Sequence, residues 1–80
     1  MTVKILAFGI AREIVGGNEV SIPLPEGATA KELSAVLEER FPRLKMLRSF
    51  LLAVNSEYAA DGLVISETDE LAIIPPVSGG

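Results

Sequence analysis

The sequence predicts an α+β fold in which a mixed sheet packs on one main helix. Three observations predict it. Short β-rich runs lie toward both ends of the chain, a capped amphipathic segment lies between them, and turn-forming residues mark the junctions. A lone amphipathic helix must bury its apolar stripe against one sheet face, so these elements belong to a two-layer domain.

Val3-Lys4-Ile5-Leu6-Ala7-Phe8 is rich in β-branched and aromatic residues and reads as the first strand, broken by Gly9. Ala11-Arg12-Glu13-Ile14-Val15 forms a helical turn before Gly16-Gly17-Asn18, with Arg12 and Glu13 as a weak ion pair. Glu19-Val20-Ser21-Ile22-Pro23-Leu24 alternates polar and apolar, so it is a strand in a hairpin with the first. Pro23 lacks an N–H and places that strand at a sheet edge. After the loop Pro25-Glu26-Gly27-Ala28, Thr29 and Glu32 have the spacing of a capping box. Leu33, Val36, Leu37 and Phe41 recur at helical spacing, and Pro42 stops the helix.

Phe50-Leu51-Leu52-Ala53-Val54 is a third strand and Asn55-Ser56-Glu57 a turn, with Tyr58 opening a short fourth strand. Asp61-Gly62 marks another turn, from which Leu63-Val64-Ile65 leads into the loop Ser66-Glu67-Thr68-Asp69. Glu70-Leu71-Ala72-Ile73-Ile74 is the last strand. The order of hairpin, helix and further strands, with the first and last strands parallel at the centre, is a β-grasp arrangement. Residues 1–75 are read as that domain and 76–80 as a flexible C-terminal tail.

Composition narrows the chemistry. Eighty residues, 49% of them hydrophobic, form one domain with a modest core. No apolar run approaches the length of a membrane span, and Met1-Thr2-Val3-Lys4 opens a strand rather than a signal peptide. The chain has no cysteine and no histidine, hence no thiolate, no imidazole base and no zinc finger; a cytoplasmic location suits it. The net charge of −4 disfavours nucleic acid and anionic membrane as partners. Arg40, Arg43, Lys45 and Arg48 read as a solvated helix end, Gly16-Gly17 as a turn rather than a phosphate loop, and Asp69-Glu70 as solvated carboxylates rather than a metal site. Ser78 has no base to activate it. No catalytic residue, bound cofactor or metal ligand is expected in this chain.

Strand parity raises a second feature. With Val3, Ile5, Ala7, Leu71 and Ile73 facing the helix, Leu6, Phe8 and Ile74 gather on the face the helix leaves open, where Lys4 and Glu70 also point. An exposed apolar patch of that kind marks a protein–protein interface. The opposite parity would bury Phe8 in the core.

The run Pro75-Pro76-Val77-Ser78-Gly79-Gly80 is the third feature. Paired prolines cannot continue a ladder and stiffen the exit from the sheet, whereas glycines pass where walls approach the backbone closely. A slim tail ending in a carboxylate suits insertion into a partner's active site; an ordinary loose end is the plainer alternative.

Phe8-Gly9-Ile10-Ala11-Arg12-Glu13, then Ala53-Val54-Asn55, then the block from Asp69 to Gly80 closely resembles the small subunit of molybdopterin synthase, over the whole chain in order and length. The terminal block is specific and the middle helix generic. The resemblance implies a ubiquitin-like β-grasp fold and a sulfur carrier. An adenylyltransferase related to ubiquitin-activating enzymes would use ATP to adenylate the Gly80 carboxylate, which sulfur transfer would convert to a thiocarboxylate. Pro76, Val77, Ser78, Gly79 and Gly80 would then enter the large subunit, where the sulfur attacks a pyranopterin precursor during molybdenum cofactor synthesis. Five extended residues reach roughly 16 Å, enough to bury the terminus while the body docks outside. Leu6, Phe8, Tyr58, Ile74 and Pro75 would make the docking face, in a heterotetramer with the large subunit. Two alternatives stay open: a sulfur carrier for thiamine or tRNA thiolation, and a ubiquitin-like protein modifier.

Overall fold

The computed structural model describes residues 1–46 and 50–75. Eight elements follow in order: β1 (Thr2–Ala7), α1 (Ile10–Val15), β2 (Glu19–Pro23), α2 (Ala30–Arg40), a 3₁₀ turn (Pro42–Met46), β3 (Leu51–Val54), β4 (Glu57–Tyr58) and β5 (Leu71–Ile74). They form a five-stranded sheet in the order β2-β1-β5-β3-β4, with β2 at one edge as Pro23 requires. β1 and β5 run parallel in the middle, with Ile5 opposite Leu71, Leu6 opposite Ala72 and Ala7 opposite Ile73. All other pairings are antiparallel. This is the β-grasp topology.

The core lies between α2 and the inward face of the sheet. Val3, Ile5 and Ala7 alternate with exposed neighbours along β1, and Leu71 and Ile73 with half-buried neighbours on β5. Ile22 joins them from β2, and Leu33 and Leu37 descend from α2. Each fully buried aliphatic side chain here contributes on the order of 1.5–3 kcal/mol. The capping box at the start of α2 forms as the spacing predicts: the Glu32 N–H donates to Thr29 Oγ1 at 3.3 Å, and the Thr29 N–H donates to Glu32 Oε1 at 3.1 Å. The helix ends at Arg40, with Phe41 its half-buried C-cap rather than part of the buried stripe.

Three local features were not legible beforehand. The chain beyond Pro42 tightens into the 3₁₀ turn and buries Leu44. Arg43 and Lys45 there are exposed, and Arg48 lies outside the described residues. Residues 61–65 pair with the start of α2: the Ala30 N–H donates to the Leu63 carbonyl and the Ile65 N–H to the Ala28 carbonyl, each at 2.8 Å, which buries Ile65. Arg12, expected to pair with Glu13, instead donates to Asn18 Oδ1 at 3.3 Å across the loop that leaves α1.

The β3–β4 turn is built on two left-handed residues, Asn55 (φ 53) and Ser56 (φ 71). Its backbone twist matches that of the flanking strands, the reason this turn class is favoured in two-residue hairpins. Asn55 also extends the β3·β5 ladder by one residue. Its N–H donates to the Glu70 carbonyl at 2.7 Å, and its side-chain Oδ1 accepts the Glu70 N–H at 3.0 Å. Asn55 Nδ2 donates to Asp69 Oδ1 at 3.0 Å, and Asp69 Oδ2 accepts the Ser66 N–H at 2.7 Å. Asp69 is therefore tied into the loop before β5 rather than simply solvated.

Asn55→Ala removes two side-chain hydrogen bonds and places a residue poorly suited to positive φ in the turn. A loss of about 2 kcal/mol in denaturant unfolding is expected. Ser56→Gly, which relieves left-handed strain, should instead raise stability by about 0.5 kcal/mol in the same measurement.

Candidate functional site: an apolar trough at the end of the central strands

The outward face of the sheet is set by the same alternation that fills the core. One row of directly opposed residues crosses four strands: Leu6 on β1, Ala72 on β5, Ala53 on β3 and Tyr58 on β4. The middle two are alanines, so the row is low at its centre and high at its ends. Strands lie about 4.8 Å apart, which puts roughly 14 Å between the Leu6 and Tyr58 backbones. The next row toward the C-terminal ends of β1 and β5 contains Ile74 opposite Leu51, with Phe8 just beyond β1.

The result is an open concavity of about 570 Å³ with an alanine floor and walls from Leu6, Phe8, Tyr58 and Ile74; Glu57 and Glu70 stand at the rim. Phe8 is 49% exposed and Tyr58 68%, whereas Ala53 beneath them is only 8% exposed. Uncovered large apolar side chains around a shallow floor can seat a partner's apolar side chains. The two rim carboxylates favour cations around that contact.

Leu6, Phe8, Tyr58 and Ile74, singled out in the sequence, thus share one surface, and Phe8 lies outside the core. Pro75 follows directly after Ile74 and packs against Gly9 beyond the trough, where a Cβ on Gly9 would sit 3.2 Å from Pro75 Cγ. Pro76, Val77, Ser78, Gly79 and Gly80 lie outside the described residues. Sequence reasoning missed Ala53, which makes the floor together with Ala72, and Leu51, which is 47% exposed beside Ile74. Extending the β5 parity across the antiparallel β3 would have found both. Among the described residues, no helix is long and apolar enough to cross a membrane.

Residues 5–80 match the model of the ThiS family. The chain belongs to this family. It is 42% identical over 79 residues to the molybdopterin synthase sulfur carrier subunit of Arabidopsis thaliana, covering 98% of this chain and 82% of that one. Among solved structures it is similar to the small archaeal modifier protein 1 of Haloferax volcanii, with a TM-score of 0.81, 25% identity and coverage of 95% and 98% of the two chains. It is also similar to a chain in the complex of subunits 1 and 2 of molybdopterin-converting factor from Helicobacter pylori. That match has a TM-score of 0.67 and 25% identity, and it covers 100% of both chains. The ThiS-family fold agrees with the β-grasp expectation.

Phe8→Ala should leave the melting temperature within about 2 °C of the parent, because the ring is half exposed and leaves no sealed cavity. Thermal unfolding followed by circular dichroism checks this. A loss comparable to a core Phe→Ala substitution, about 3 kcal/mol or more, would place the ring in the core instead.

Proposed function

We propose that this chain is the sulfur carrier subunit of a molybdopterin synthase. The observation that carries the proposal is its near full-length identity with the plant carrier subunit. Two features of the chain support it: an uncovered apolar trough at the root of the tail, and a tail composed of Pro76, Val77, Ser78, Gly79 and Gly80.

In this reading Leu6, Phe8, Tyr58, Ile74 and Pro75 dock on the synthase large subunit while the tail enters its active site. The carboxylate of Gly80 is a poor electrophile until activated. An adenylyltransferase of the ubiquitin-activating type transfers AMP from ATP to it and releases pyrophosphate. A sulfur donor then displaces AMP to leave the thiocarboxylate. Its sulfur attacks the pyranopterin precursor within the large subunit, forming a carbon–sulfur bond as an oxygen substituent of the precursor leaves. Water then cleaves the acyl–sulfur bond of the resulting thioester, leaving the thiolate on the pterin and the carboxylate on Gly80. Two carriers supply the two dithiolene sulfurs, in keeping with a heterotetramer. The chain contributes the docking surface and the reagent, and the partners contribute ATP, bases and acceptor. All of this takes place in the cytoplasm and requires no cofactor bound to the carrier.

A second reading has a specific observation behind it, the similarity to an archaeal modifier protein. In that case Gly80 would form isopeptide bonds with lysines. The fold is common to both readings and does not choose between them. The higher sequence identity favours the carrier.

Deleting Gly80, or adding one residue after it, should abolish sulfur transfer in a reconstituted synthase assay with activating enzyme and large subunit, while the thermal melt stays unchanged. Retained transfer would overturn the proposal. Higher-mass protein conjugates that disappear on deleting Gly80, with no transfer to the pterin, would favour the modifier.

A further inference from the structure

Phe8-Gly9-Ile10-Ala11 links β1 to α1 through a tight turn in which the Ala11 N–H donates to the Phe8 carbonyl at 3.0 Å. Gly9 occupies its second position with φ 56 and ψ −134, the backbone conformation of a type II′ turn, which L side chains rarely adopt. The bare face of Gly9 is covered by the Pro75 ring. An L-Cβ placed there would lie 3.2 Å from Pro75 Cγ, closer than ordinary van der Waals contact. The parallel pairing of β1 with β5 creates this meeting, because it brings the ends of both strands to the same side of the sheet.

Pro75 is confined by its own ring and by Pro76 after it, which disfavours the helical region for the preceding residue. A displacement of Pro75 is therefore passed on to whatever follows it rather than absorbed by rotation about its own backbone. We infer that Gly9 is a positioning residue: its missing side chain seats the Pro75 ring and so fixes where the chain leaves β5. The inference rests on the sulfur-carrier reading and adds to it a determinant of delivery separate from the docking trough and from Gly80.

The test compares three full-length chains, thiocarboxylated by the activating enzyme, in single-turnover and steady-state sulfur transfer to the large subunit. They are the parent, Gly9→Ala and a synthetic chain with D-alanine at position 9. D-Alanine favours this turn conformation and directs its methyl away from the position of the L-Cβ. An L-Cβ at position 9 makes Pro75 give by a few tenths of an ångström, so Gly9→Ala should lower the transfer kcat about threefold to tenfold. Its KM should stay within about threefold, since the trough is untouched. The D-alanine chain should restore the parental kcat. Parental kcat in Gly9→Ala, or equal impairment of both alanine chains, overturns the inference. Should Gly9→Ala not fold, Pro75→Gly decides, because it removes the ring from an unaltered Gly9. Since Pro75 also belongs to the docking face, the rate is read in single turnover at saturating large subunit. A fall is expected there, and the parental rate overturns the inference. A parent chain that transfers no sulfur at all overturns the sulfur-carrier reading itself, and this inference with it.

Discussion

The parallel pairing of β1 with β5 is the constraint on which the rest of the structure depends. It sets Leu6 beside Ala72 and Ala7 beside Ile73, and that register divides the side chains between the two faces of the sheet. Ala7 and Ile73 are sealed beneath α2, and Leu6 and Ala72 face outward. A one-residue slip of β5 would turn that strand over, exposing Ile73 and burying Ala72. Because the strands are parallel, their C-terminal ends emerge together. The wall of the trough at Phe8, the turn at Gly9 and the exit at Pro75 therefore occupy one corner of the molecule. An antiparallel pair would send β5 out at the opposite end, far from Phe8.

The antiparallel strands add the remainder of the recognition surface. β3 contributes Ala53 to the floor, and β4 contributes Tyr58 to the far wall. The short hairpin between them depends on Asn55, which adopts positive φ while its side chain replaces a backbone acceptor for the Glu70 N–H. A polar turn residue thus holds an apolar wall in place, which links the fold's local chemistry to the shape of the trough. The apolar surface turned outward is of the kind that partner proteins cover.

Much of this was legible in the sequence because the relevant signals are local. The Thr29–Glu32 cap, the strict alternation of β1 and the edge proline of β2 each follow from residue type and spacing. The parity of β1 and β5 placed Leu6, Phe8 and Ile74 on the open face. β3 was harder, since Leu51, Leu52, Ala53 and Val54 are all apolar and three of them are buried, so no alternation marks which side is which. The floor of the trough became visible only through the cross-strand register. Residues 61–65 were harder again: their partners at the start of α2 lie more than thirty positions earlier, beyond the reach of any periodicity. Gly9 read simply as a strand break, because its contact with Pro75 spans nearly the whole chain.

In the proposed function, a partner holds the carrier by the outward face at the β1–β5 corner. Residue-level footprinting of the intact chain, alone and bound to the synthase large subunit, tests this most directly. Tyr58, Phe8, Leu6 and Ile74 should lose labelling in the complex, while Leu63 and Val64, exposed apolar residues outside the trough, keep theirs. Protection of Leu63 and Val64 with Phe8 and Tyr58 still fully labelled would contradict it.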